Sequence, residues 1–153
     1  MKTYILILAT IFSSFTFSSC NNDDDNQVPI IEEPNHPIVK EWSLITRNAA
    51  WNPTYTFEEN DVVWTFNNQN QVIIDINMDV TEQELISMLY PFHQSGTYQY
   101  VINQTTNEIS FTLDYIQAGY VYTLPFIINE NDMTMGQLLP DDGGVEMKFK
   151  MNL

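Results

Sequence analysis

Cys20 is the only cysteine of the 153-residue chain, and it directly follows an apolar N-terminal segment. Without a second cysteine an intrachain disulfide is ruled out. The neighbouring Asn21, Asn22, Asp23, Asp24 and Asp25 exclude a buried core thiol. The two histidines, His36 and His93, lack HxH or HExxH spacing and read as exposed residues with no metal role. A serine nucleophile would need a base and an orienting third group, and no G-x-S-x-G elbow occurs. Asp75 and Asp114 fall at mid-strand positions opposite apolar faces, so they read as solvated rather than as an acid–base pair. The acidic turns Asp23 to Asp25, Asp132, and Asp141 with Asp142 do not follow the EF-hand order of calcium ligands. The expectation is a chain with no catalytic residues, no metal and no cofactor.

The segment before Cys20 has the order of a secretory signal: Lys2, an apolar run from Tyr4 to Phe12, then small residues from Ser13 to Ser19 mixed with two phenylalanines. Its serines and the acidic run beyond make a poor membrane span, which needs about 20 mostly apolar residues. Phe17-Ser18-Ser19-Cys20 resembles the lipobox of bacterial lipoproteins, with Phe17 standing where a leucine-like residue is usual. That resemblance implies cleavage before Cys20, lipid on its sulfur, and attachment to a membrane. Asn21 does not resemble the aspartate of inner-membrane retention, and Asp23-Asp24-Asp25 resembles acidic signals for surface export. Outer-membrane residence, on the periplasmic face or at the cell surface, is the expected location. Three regions follow: a signal peptide over 1–19, an acylated cysteine with an acidic, proline-rich tether over 20–37, and a folded domain over 38–153.

Five lysines and arginines against twenty aspartates and glutamates give a net charge of −15. Lys2 leaves with the signal, so the mature chain is one charge more negative. Such a chain is repelled by nucleic acid and by anionic headgroups. Aromatic residues at 13% indicate a folded core rather than an acidic disordered chain.

From Glu41 onward, apolar residues alternate with polar ones at the period of a strand. Trp42 and Leu44 open the series, followed by Val62, Trp64 and Phe66, then Val72, Ile74 and Ile76. Tyr98, Tyr100 and Ile102 come next, and Ile109, Phe111, Leu113 and Tyr115 give the cleanest alternation. Tyr120, Tyr122 and Leu124 follow, then Met133 with Met135, and finally Val145, Met147, Phe149 and Met151. Asparagine-rich segments at 67–70, 103–107 and 129–132 read as turns, and Asp141-Asp142-Gly143-Gly144 as a hairpin. Thr81-Glu82-Gln83-Glu84 reads as a capping box before a short helix that Pro91 ends. About eight antiparallel strands joined by short links predict an all-β, up-and-down barrel with one short helix. A two-sheet sandwich is the alternative.

The lipobox, acidic tether, early tryptophan strand (Val39-Lys40-Glu41-Trp42-Ser43-Leu44), Val62 to Phe66 and the closing strands together resemble the small lipocalin-like lipoproteins of Gram-negative bacteria. Lys40 stands where the lipocalin signature has glycine, and no arginine lies near Phe149-Lys150. The resemblance implies a barrel and a small ligand. On the predicted inner face, Trp64, Phe66, Tyr98, Tyr100, Phe111, Tyr115, Tyr122, Met133 and Met147 would line an apolar pocket if the barrel is open. They would fill the core if it is not. The partners expected are therefore the membrane, through Cys20, and a small apolar or amphipathic ligand. The alternative is a filled barrel that contributes its outer surface to an envelope complex.

Overall fold

The alternating runs form strands that pair one after another around a closed sheet. The structure, a computed structural model, describes residues 36–50, 52–139 and 143–153. Its elements are β1 (Glu41–Ala49), β2 (Asn52–Thr56), β3 (Val62–Phe66), β4 (Gln71–Ile76), α1 (Glu82–Leu89), β5 (Gly96–Asn103), β6 (Glu108–Thr112), β7 (Val121–Asn129), β8 (Asp132–Gly136) and β9 (Val145–Met151). All pairings are antiparallel. The sheet runs from β1 through β3 and onward to β9, and β9 pairs back to β1. Eight strands thereby close into the up-and-down barrel expected from the alternation. The ninth, β2, attaches to the later half of β1 at Thr46, Arg47 and Ala49, while Glu41 to Ser43 on the same edge pair with β3.

The interior follows from side-chain direction. Inward residues of β4 to β9 alternate with more exposed ones, as in β5, where Tyr98 and Tyr100 are buried and Thr97, Gln99 and Val101 are exposed. Trp64, 1% exposed, sits at the centre of the core. Its ring centroid lies 4.7 Å from Phe92, 5.1 Å from Phe149, 5.6 Å from Phe111 and 6.2 Å from Phe66. Tilted and edge-on ring contacts of this kind fill the middle of the barrel.

The two ends differ. Tight turns join β3 to β4, β5 to β6, and β7 to β8 at one end, where Asn70, Asn107 and Glu130 adopt positive φ. The chain also enters there, with Trp42 Nε1 donating to the Ile38 carbonyl at 2.9 Å. The longer connections lie at the other end: the α1 segment between β4 and β5, residues 113–120, and the described residues 137–139 and 143–144 between β8 and β9. Thr81 caps α1 through the expected capping box. Leu85, Met88 and Leu89 turn onto the core, and Phe92 follows them in.

Two sequence expectations change here. Asp114 and Tyr115 do not continue β6, which ends at Thr112. Asp114 instead accepts the Gly119 N–H at 2.8 Å, and the Leu113 N–H donates to the Tyr120 carbonyl at 2.9 Å, so turn chemistry overrides the alternation. His93 is not exposed: it is buried, at 9% exposure, and His36 is part-buried against Phe126. Cys20 and Asp23, Asp24 and Asp25 lie outside the described residues, as do Asp141 and Asp142.

Candidate functional site

A one-residue bulge sets up the site. Opposite β9, Leu44 pairs with Phe149 but Thr46 pairs with Lys148, so Ile45 is an extra residue in β1. Plain alternation after Trp42 and Leu44 would turn Thr46 and Asn48 inward. The bulge shifts that parity. It places Arg47, the only arginine in the chain, opposite the buried Met147 and inside the barrel at its helical end.

Arg47 is 4% exposed. Its Nη2 donates to the Tyr90 carbonyl at 2.8 Å, at the C-cap of α1. Its Nε and Nη1 have no partner. Among the described residues the one ion pair within 4 Å is Lys148 with Glu146, at 3.3 Å, so Arg47 has no carboxylate. Burial lowers its pKa, and the nearby Tyr122 and Tyr55 phenols act in the opposite direction.

From Tyr90 a line of ring contacts runs beneath the end of α1. The Tyr90 ring stacks on His93, with centroids 5.9 Å apart. His93 meets Tyr115 edge-on at 5.5 Å, and Tyr115 meets Tyr98 at 5.9 Å. His93 Nδ1 and Tyr115 Oη are buried without hydrogen-bond partners. Burial lowers the His93 pKa against the pull of Glu82. Burial also drives the Tyr115 phenol well above its ordinary value, with Tyr98 and Tyr90 adding to the shift. Tyr98 is satisfied, donating to the Gln94 carbonyl at 2.6 Å.

Tyr98 and Tyr115 border a cleft of about 300 Å³ whose other walls are Gln94, Gly96, Thr97, Gln99, Thr112 and Asp114, with Thr97, Gln99 and Thr112 at outward-facing positions of β5 and β6. That volume sits at the lower end of the range for small-molecule pockets. The inner-face residues expected to act together therefore divide. Trp64, Phe66, Phe111, Met133 and Met147 are packed in the core, and Tyr100 is anchored by donating to the Asn67 carbonyl at 3.0 Å. Tyr98 and Tyr115 line the cleft, while Tyr122 lies near Arg47 and 5.7 Å from Phe92. Among the described residues no group of three or more His, Cys, Asp or Glu side chains is placed to hold a metal. No described helix is long and apolar enough to cross a membrane.

Sequence reasoning missed Arg47 and the burial of His93. The signal for Arg47 was its singularity, a lone arginine within a strand of an acidic chain. For His93 it was the step from the helix stop at Pro91 into an aromatic pair, Phe92-His93. No protein-family model, curated protein or solved structure matches this chain.

Proposed function

We propose that this chain is a lipid-anchored protein of the bacterial cell envelope, resident at the outer membrane, whose barrel binds a small amphipathic ligand at its helical end. The cleft beside Tyr98 and Tyr115 carries the reading: it has the volume of a small ligand, and one of its lining residues, Tyr115, has a buried hydroxyl without a partner. An unsatisfied buried hydroxyl costs about 1–3 kcal/mol. The bound molecule lies at the rim, because the centre is occupied by Trp64 and its ring neighbours. The anchor at Cys20 rests on the lipobox resemblance.

The packed interior favours a second reading, a barrel that contributes its outer surface to an envelope complex. The outer positions Thr97, Gln99, Val101, Ser110, Thr112, Val121 and Thr123 of β5 to β7 carry no charge, although the chain as a whole is strongly acidic.

Thermal unfolding in the presence of fatty acids, haems and aromatic metabolites separates the two. A ligand at a hundred times its Kd stabilises by about 2.7 kcal/mol, and Tyr115→Phe should reduce that gain while leaving the unliganded protein at least as stable. The absence of any shift across the panel sinks the binding reading and leaves the second. Labelled fatty acid should enter the wild type and not Cys20→Ala, and equal labelling of both refutes the anchor.

A further inference from the structure

We infer that the cleft takes a short neutral or basic peptide, added in extended form to an open stretch of β5. This rests on the ligand-binding reading above and deepens it by naming the chemical class of the ligand and the backbone groups that hold it.

Every strand of the barrel has a neighbour on each side, but one ladder stops short. β5 begins at Gly96 and pairs with β4 as far as that residue, with Ile73 opposite Thr97 and Ile74 opposite Gly96. On its other side the pairing with β6 ends at Gln99 opposite Thr112. Beyond Thr112 the chain leaves β5 and stays with β7, because the Leu113 N–H donates to the Tyr120 carbonyl. Asp114 then ties the connection to itself by accepting the Gly119 N–H. The cleft of about 300 Å³ opens where β5 and β6 part, so residues from both faces of β5 line it: Gly96 and Tyr98 on one, Thr97 and Gln99 on the other.

Strand geometry fixes which backbone groups face that opening. Successive residues of a strand direct their N–H and C=O groups to opposite edges. The Tyr100 N–H donates at 2.9 Å to the carbonyl of Asn70, the residue before β4, so Tyr98 and Gly96 also point to the β4 side. Thr97 therefore points its N–H and C=O to the edge that β6 has left. No described group pairs with either of them there. One donor and one acceptor stand side by side, the pair that a residue of an antiparallel neighbour takes up. An extended peptide residue carries the matching N–H and C=O on one edge. Strand addition of this kind draws affinity from main-chain bonds and selectivity from alternate side chains.

The walls set the length and character of the peptide. The open stretch covers only Gly96 to Tyr98, so a short segment fits. A residue opposite Thr97 turns its side chain outward, beside Thr97, Gln99 and Thr112. Its two neighbours turn inward, toward the rings of Tyr98 and Tyr115. A polar centre between apolar flanks makes such a peptide amphipathic. Asp114 is the one charged side chain among the described residues lining the cleft. With the chain at a net charge of −15, an acidic peptide is disfavoured.

The test uses the mature full chain on nanodiscs of neutral phosphatidylcholine. Three blocked tripeptides are run beside the fatty acids, haems and aromatic metabolites: acetyl-Leu-Lys-Leu-amide, the same peptide N-methylated at its lysine, and acetyl-Leu-Glu-Leu-amide. Hydrogen exchange read by 15N-resolved NMR reports on the Thr97 amide. In the free protein it should exchange at least about tenfold faster than the Tyr98 and Tyr100 amides, and equal protection overturns the proposal. The lysine peptide should shift the Thr97 signal, slow its exchange and raise the melting temperature. N-methylation removes the donor to the Thr97 carbonyl and should weaken binding about tenfold. Equal binding of those two peptides overturns strand addition and leaves ligand binding standing. The glutamate peptide should bind more weakly than the lysine peptide, and equal binding overturns the charge preference. Thr97→Pro should stay folded, because the N–H it removes belongs to no ladder, and should bind the lysine peptide at least about tenfold more weakly. Thr97→Val should bind it as the wild type does. If Thr97→Pro does not fold, the N-methylated pair decides. A thermal shift with the other compounds and none with the peptides overturns the peptide assignment alone. Silence from all of them removes the ligand-binding reading itself.

Discussion

Arg47, His93 and Tyr115 have the same defect in three chemical forms: a buried polar atom with no partner. In a folded protein most such atoms are satisfied, and here Thr46 Oγ1 and, at the core centre, Trp64 Nε1 are also without partners. His93 also makes the defect measurable by pH. Its folded-state pKa lies below 6.5, chiefly because burial disfavours the charged ring. The unfolded chain therefore binds more protons as pH falls through 6.5, and stability drops with it. The stability is present above the unfolded value and is lost on acidification. His36 shifts in the same direction, also through burial. Melting temperature should thus fall between about pH 7.5 and about pH 5.5, above the range in which carboxylates titrate. His93→Gln should flatten that slope in part. An unchanged slope in the variant would assign the whole effect to His36.

At the scale of elements, local chemistry decides where strands stop and how they can approach. β7 runs through Pro125, although the alternation reads only as far as Leu124. The proline is tolerated because its pairing to β6 ends there, opposite Glu108, and pairing to β8 begins only at Phe126. β2 was not legible: Asn52-Pro53-Thr54-Tyr55-Thr56 has no buried residue and depends on its pairing to β1. Where β8 leaves the barrel, Gly136 has a φ of +84°, and a Cβ there would collide with the Val145 carbonyl of β9. Gly136→Ala should cost about 1–2 kcal/mol from the left-handed backbone alone, and more from the collision. Chemical denaturation that finds the variant as stable as wild type would show that the β8–β9 connection can relax.

For the whole molecule, closure and charge act against each other. Closing β9 on β1 leaves the barrel itself without an unpaired edge, while a net charge of −15 pushes the compact state apart. Screening reaches about 10 Å at 0.1 M salt, so raising sodium chloride from about 0.01 M to about 0.15 M should raise the melting temperature. A fall would mean that favourable pairings such as Lys148 with Glu146 outweigh the repulsion.

Much of this architecture is linear information. Trp64, Phe66, Val72, Ile74, Tyr98 and Phe111 face inward because side chains on a strand alternate, and that period is written residue by residue. Thr81 and Glu84 form their capping box within four residues. The residues around Arg47 are of another kind. Arg47, Tyr90, His93 and Tyr115 come from β1, the end of α1, the segment after it and the β6–β7 connection. Only closure of the barrel brings them together. Arg47 turns inward because of a bulge defined by the register of β1 against β9, about 100 residues away along the chain. Alternation within β1 carries no trace of that register. Whether a side chain is buried, and whether its polar atoms find partners, depends on neighbours distant in sequence, and those neighbours exist only in the folded barrel.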